Sequence, residues 1–203
     1  MEASATATRS LESDKAQRIV EAMRESVAQR GVAGATFDHV ARRAGVSRGL
    51  LHYYFGTKER LLTEVVRRDC DLRMGVLEAQ LTQAASAQDV VELLRLTLED
   101  MVRDAPDFFT VVFEFFTLSR RNDEVAAELA DLLRRTAEHV AKVLRAKQEE
   151  GVLVLRAEPE AVAEILFALG DGIGMRMLVD PDRDWSETVR AGLLTVQALI
   201  ADA

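Results

Sequence analysis

Arg48, Gly49, His52 and Tyr53 fall at a spacing that puts them on one face of a short helix, with Val46, Leu51 and Phe55 turned the other way. A guanidinium, an imidazole and a phenol aligned in this manner suit phosphate oxygens and the edges of bases. His39, His52 and His139 form no cluster, and neither HExxH nor GxSxG occurs, so no catalytic constellation emerges. Gly170-Asp171-Gly172-Ile173-Gly174 lacks the GxGxxG spacing and sits inside a helical pattern, so no phosphate-binding loop is expected there. A single cysteine, Cys70, excludes an internal disulfide and a Cys-rich zinc site. No cofactor and no metal ion are implied.

The elements that must position the outward face are short. Thr36 is placed to cap a helix whose Phe37, Val40, Ala41 and Ala44 follow helical spacing. Gly45 breaks it, and Ser47 can cap the next helix, which runs through Phe55. Two short helices joined by Ala44-Gly45-Val46-Ser47 have helix-turn-helix geometry, in which the second helix enters the DNA major groove by its N-terminal end. A three-helix packing module with a polar face is the plainer alternative. A preceding helix from about Asp14 buries Ile19, Met23 and Val27 and ends at Gly31 and Gly34. After Gly56-Thr57 a long helix carries Leu62, Val66, Cys70, Met74, Leu77 and Leu81 on its apolar positions.

Beyond residue 84 the pattern is again helical. Ser86 with Asp89 resembles a capping box, and Pro106 suits a first turn. A long helix spans about 123–150, with Asp131–Arg135 and Glu138–Lys142 as pairs on its polar side and His139 solvated. VLVL at 152–155 has no evident partner strand and reads as a buried connector. Helices over 159–179 and 185–200 complete the chain. The expected fold is all-α: a three-helix N-terminal domain followed by a larger helical bundle, with 1–13 as a disordered arm, 14–60 as the first domain and 61–203 as the second.

Residues 36–62, TFDHVARRAGVSRGLLHYYFGTKERLL, closely resemble the N-terminal DNA-binding domain of the TetR/AcrR family of bacterial transcriptional regulators. The features are Thr36 opening the second helix, the Ala44-Gly45-Val46-Ser47 turn, the run Tyr53-Tyr54-Phe55, and Lys58-Glu59 ahead of Leu61-Leu62. The detailed match covers 14–65; the rest agrees in length and helix order. The resemblance implies phosphate contacts at Thr36, Tyr53, Tyr54 and Lys58, and a groove-facing set of Ser47, Arg48, Gly49 and His52. Arg48 would read guanine O6 and N7 together. Two departures stand out. His52 replaces the family's usual Tyr. Leu50 stands where a Thr is common, so it offers no hydroxyl to phosphate, although a thymine methyl is open to it.

Phe108, Phe109, Phe113, Phe115 and Phe116 concentrate five of the eight phenylalanines in one helix. Such a helix is buried core or lines a cavity. Taken with the resemblance, it implies a site for a small apolar or amphipathic effector near Met101, Phe109, Phe113, Phe116 and Met175. Glu114, in the same run, needs a partner. Arg120, Arg121 or Arg176 is expected to supply it, with effector contact as the alternative. The glycines of 170–174 fit close helix packing at a subunit interface, and the resemblance implies a homodimer through 159–179 and 185–200. Cys70 lies on an apolar stripe and is expected to be inert.

Composition agrees with these readings. The 203 residues are 48% apolar and 30% charged with 3 prolines, which excludes a disordered chain. The net charge of −8 divides into +3 over 1–60 and −11 over 61–203, so the front alone is suited to nucleic acid. An effector of the acidic body would be neutral or cationic. No apolar run approaches the ~18–20 residues of a membrane span. MEASATATRSLESDK has no leader-like apolar region, so a cytoplasmic protein is expected. The reading is a ligand-responsive repressor that binds a palindromic DNA operator as a dimer. The alternative is an all-helical carrier or enzyme that keeps the N-terminal module as scaffold.

Overall fold

Small polar residues start the early helices. In a computed structural model, which describes residues 13–203, the Ser13 side chain accepts the Ala16 N–H at 3.3 Å and opens α1, Asp14–Gly34. Ser13 is therefore a helix cap and not part of an arm; the remainder of that expected arm lies outside the described residues. Ile19, Met23 and Val27 are fully buried on α1. The helix kinks at Gly31, where φ is +67° and ψ 171°.

Thr36 then accepts the His39 N–H at 3.3 Å and caps α2, Phe37–Ala44. Gly45 ends it with φ +65° and ψ 38°. The Val46 N–H reaches the Ala41 carbonyl at 3.0 Å and the Gly45 N–H reaches that of Arg42 at 3.3 Å. This paired closure needs a left-handed residue, which costs a side-chain-bearing residue about 1–2 kcal/mol. Helix α3 follows at Arg48–Phe55 and α4 at Lys58–Gln83.

The remaining helices are α5 (Ala87–Asp104), α6 (Pro106–Ser119), α7 (Asp123–Glu149), α8 (Pro159–Val179) and α9 (Ser186–Leu199). Ser86 accepts the Asp89 N–H at 3.1 Å, and Asp89 accepts the Ala85 N–H at 2.9 Å, so a capping pair does open α5. The VLVL segment is not a connector. Its β1, Leu153–Leu155, pairs antiparallel with β2, Ile200–Asp202, in the register Leu153 to Asp202 and Leu155 to Ile200. The partner lies at the chain's far end, where three residues are too few to show strand alternation. Asp202 also accepts the Ala87 N–H at 2.7 Å. On α7, Glu138 pairs backwards with Arg134 at 3.1 Å, and His139 lies 3.0 Å from Glu78.

Contacts divide the chain into two compact units. The first joins the described part of Met1–Asp69 to Thr110–Asp131; the second joins Cys70–Phe109 to Leu132–Ala203. Helices α4, α6 and α7 thus contribute residues to both. The first unit buries Leu51 and Phe55 of α3, Leu61 and Leu62 of α4, and Phe115 of α6. The second is centred on Leu81, Val90, Leu144, Leu153, Val162 and Ile200. Among the described residues, no helix is long and apolar enough to cross a membrane.

Candidate nucleic-acid interface

Helix α3 is held by its apolar side and shows its polar one. Leu51 and Phe55 are buried, while Ser47, Arg48, Gly49, His52 and Tyr53 are exposed. Tyr53 is 74% exposed. Ser47 occupies the N-cap position without a side-chain capping bond, so its hydroxyl faces outward unspent. Gly49 would meet only the Ser47 hydroxyl, at 3.9 Å, if it carried a Cβ.

Several of these groups have internal partners. Arg48 donates to both oxygens of Asp38 at 3.3 Å across the turn, with both side chains exposed. His52 stands 4.8 Å edge-on from Phe37, and its Nδ1 is 3.1 Å from the Gly56 carbonyl, which selects the tautomer protonated at Nδ1. The Tyr54 hydroxyl accepts from Ser13 at 3.0 Å. Thr36 is engaged as the α2 cap. Lys58 donates to the Val32 carbonyl at 2.9 Å, which leaves the other hydrogens of its ammonium for a second acceptor. Asp38 was not among the residues read from the sequence as part of this site. Its one visible signal is an acid in the first turn of a helix, which also serves the helix dipole.

Burial and neighbouring cations hold His39 below its ordinary range: desolvation acts first, then the positive charges of Arg30, Arg42 and Arg43. Three cations, Arg30 of α1 and Arg42 and Arg43 of α2, thus act on the His39 ring, and Arg43 pairs with Glu25.

The residues expected around an effector divide between the units, with Phe113, Glu114 and Phe116 in the first and Met101, Phe109 and Met175 in the second. Glu114 is engaged by backbone, and neither Arg120 nor Arg121 is its partner; Arg176 falls in the other unit. Its carboxylate accepts the Val32 N–H at 2.9 Å. A backbone N–H freed by a kink leaves no mark in residue types, which is why the sequence pointed to an arginine. Phe109 is buried against Gly174, where a Cβ would stand 2.4 Å from the ring. Gly174 therefore serves packing within the chain, whereas Gly170 and Gly172 face open space. Phe116 and Met175 are 54% and 40% exposed. The second unit has a cleft of about 490 Å³ lined by Arg95, Glu99, Val102, Met177, Trp185 and Leu193, among others, but by none of the expected effector residues. Arg183 lies over the Trp185 ring there at 4.4 Å.

Residues 19–65 match the family described as bacterial regulatory proteins, tetR family, and residues 86–196 match the BetI-type transcriptional repressor C-terminal family. The regulator BetI of Rhizobium meliloti is 29% identical over 62% of this chain and 62% of its own length. The repressor AcnR of Corynebacterium efficiens is 30% identical over 57% of this chain and 56% of its own. The matches thus span about six-tenths of these curated relatives. Among solved structures, Salmonella enterica GusR superposes with a TM-score of 0.76 over 93% of this chain and 98% of its own at 18% identity, which speaks for the fold. A candidate regulator from Saccharomonospora viridis, solved in complex with choline, is 26% identical over 92% of this chain and 97% of its own, with a TM-score of 0.69. The second family match alone covers more than half of the chain, and with the helix-turn-helix geometry it settles the assignment: this chain belongs to the TetR family of bacterial transcriptional regulators.

Proposed function

We propose that the chain is a repressor that binds a palindromic DNA operator as a homodimer and leaves it when a small effector binds. The observation that carries the reading is the exposed face of α3, where Ser47, Arg48, Gly49, His52 and Tyr53 stand clear of solvent-excluding packing while Leu51 and Phe55 anchor the helix. Arg48 supplies a fork for guanine, and Thr36, Tyr53, Tyr54 and Lys58 supply the phosphate contacts that set register. The Arg48–Asp38 pair is exposed on both sides, so it costs little to exchange for a base.

Dimerisation is assigned to α8 and α9. Ile165, Met175 and Val179 are 43%, 40% and 80% exposed along one face of α8, and Leu194 is 52% exposed on α9. Large apolar residues aligned on two adjacent helices are the mark of an unfilled interface. A two-fold axis there requires half-sites about one DNA turn apart or a multiple of it.

The effector is assigned to the region of the BetI-type match and to the class of small apolar or amphipathic molecules, neutral or cationic. Support comes from the net −11 of 61–203 and from the choline complex of the Saccharomonospora viridis protein. To release DNA, the effector must prefer the conformation whose recognition helices no longer fit the half-site spacing. Trp185 is the chain's single tryptophan, so its fluorescence offers a reporter for ligand titrations.

The test is selection of duplexes from a random-sequence pool, followed by titration of the selected duplex and a scrambled one at several salt concentrations. A regulator prefers the selected duplex by a factor of about 10³ or more at physiological salt. A carrier that keeps the module as scaffold enriches no sequence and binds both duplexes weakly and alike.

A further inference from the structure

Val32 has both of its backbone polar groups taken by side chains from distant helices. Glu114 of α6 accepts its N–H at 2.9 Å, and Lys58 of α4 donates to its carbonyl at 2.9 Å. All three residues lie in the first unit. Gly31, immediately before, has φ +67°, and a Cβ there would stand 3.3 Å from Glu114 Oε1. The carboxylate therefore fills the space that a side chain would need, and the kink and the carboxylate are mutually fitted.

This turn sets the start of the helix-turn-helix. The Ala35 N–H closes on the carbonyls of Gly31 and Val32 at 3.3 Å each, and the Thr36 N–H closes on that of Gly34 at 3.0 Å. Thr36 is already the cap of α2. A kinked strand of glycine-rich chain can leave a helix in several directions. A side-chain acceptor on one group and a side-chain donor on the next select one of them, because each hydrogen bond needs its partner at about 3 Å and nearly in line. Glu114 is otherwise out of place: its neighbours Phe113 and Phe115 are apolar, and a carboxylate in such a helix needs a use.

We propose that Glu114 is a positioning residue for DNA binding, which fixes the Gly31–Val32 kink and so the angle at which α2 and α3 are presented to a duplex. The inference rests on the DNA-binding reading above. It goes beyond that reading by placing a determinant of affinity on a helix outside the helix-turn-helix.

The test uses the full chain and three variants. Glu114→Leu removes the acceptor, Glu114→Asp keeps the charge but falls one methylene short, and Glu114→Gln keeps the reach without the charge. Affinity is read for the selected duplex and a scrambled one, and hydrogen exchange at the Val32 amide is read without DNA. Glu114→Leu and Glu114→Asp should weaken the selected duplex about tenfold, and the scrambled one less, with faster Val32 exchange. Glu114→Gln should recover most of both. Should Glu114→Leu fail to fold, the contrast of Asp with Gln carries the test. Unchanged affinity in Glu114→Asp, equal losses on both duplexes, or a Gln variant as impaired as Asp would overturn the proposal. If the wild-type chain selects no duplex at all, the DNA-binding reading has failed. Val32 exchange then still shows whether Glu114 holds the kink, so the two failures are told apart.

Discussion

The turn between α2 and α3 and the phenylalanine run of α6 are both conspicuous in the sequence, yet they behave differently in the fold. Around the turn, the bonds that close it join residues only a few positions apart. Thr36 caps its own helix, Gly45 closes on Ala41 and Arg42 through paired hydrogen bonds, and Leu51 and Phe55 go inward as helical spacing requires. Along α6 the five rings share one composition and have different fates. Phe109 and Phe115 are 2% and 1% exposed, Phe116 is 54% exposed, and Phe108 lies 4.2 Å beneath the Arg73 guanidinium. Local hydrogen-bond closure is written in neighbouring residues. Burial of an apolar helix is decided by whatever packs against it from elsewhere.

The largest expected effect falls on the α6 side of this contrast. Phe109→Ala should lower stability by about 3–5 kcal/mol in denaturant unfolding, as for a large core ring. Gly174→Ala, which drives a Cβ into that ring, should cost about 1–3 kcal/mol. A loss below about 1 kcal/mol for Phe109→Ala would make the ring a cavity wall after all, and the two regions would no longer differ in kind.

Next in size are the DNA-facing variants. Arg48→Ala should cost about 1–3 kcal/mol on the selected duplex and relax preference at one base position, read by repeating the selection. Lys58→Ala should weaken all duplexes and reduce the salt slope by about 1, with a somewhat larger loss on the selected duplex because the Val32 carbonyl is freed as well. Since Lys58 also holds the Val32 carbonyl, its loss should lower the melting temperature, which Arg48→Ala should leave nearly unchanged. Equal losses on selected and scrambled DNA for both variants would show that the outward face is not divided into readers and anchors.

Smaller effects separate the two caps. Thr36→Ala should cost about 1 kcal/mol in thermal unfolding, because its side chain accepts the His39 N–H. Ser47→Ala should cost much less, since Ser47 makes no capping bond, and should show instead in duplex affinity. The smallest effect is that of acid on α2. His39 is held below the ordinary histidine value of 6.5, so the folded chain binds its proton less readily than the unfolded chain. Its contribution to stability is present above that value and is lost as pH falls through the lower folded one. Wild type should therefore lose melting temperature relative to His39→Gln as pH falls below about 6.5.

Much of the helical order was legible, and so were the residues of the outward α3 face. Caps and breakers such as Thr36, Gly45, Ser86 and Gly151 work through bonds to near neighbours. What escaped depends on distant partners. The strand at 153–155 finds its mate at 200–202, where the pattern continues the last helix. Glu114 finds a backbone N–H 82 residues away, and no list of charged side chains reveals one. Asp38 meets Arg48 only because the Gly45 turn folds α3 back across α2. The aromatic run marks where apolar packing is dense, but only the fold shows that Phe109 is spent on Gly174.

In the proposed mode of binding, two copies of the α3 face read one two-fold DNA site. Its most direct test is titration of the selected duplex against the same duplex with about five base pairs, half a turn, inserted between its half-sites. Two chains per duplex are expected, with an affinity that falls about tenfold or more when the half-sites are turned to opposite sides of the helix. One chain per duplex, with an affinity indifferent to the insertion, would contradict it.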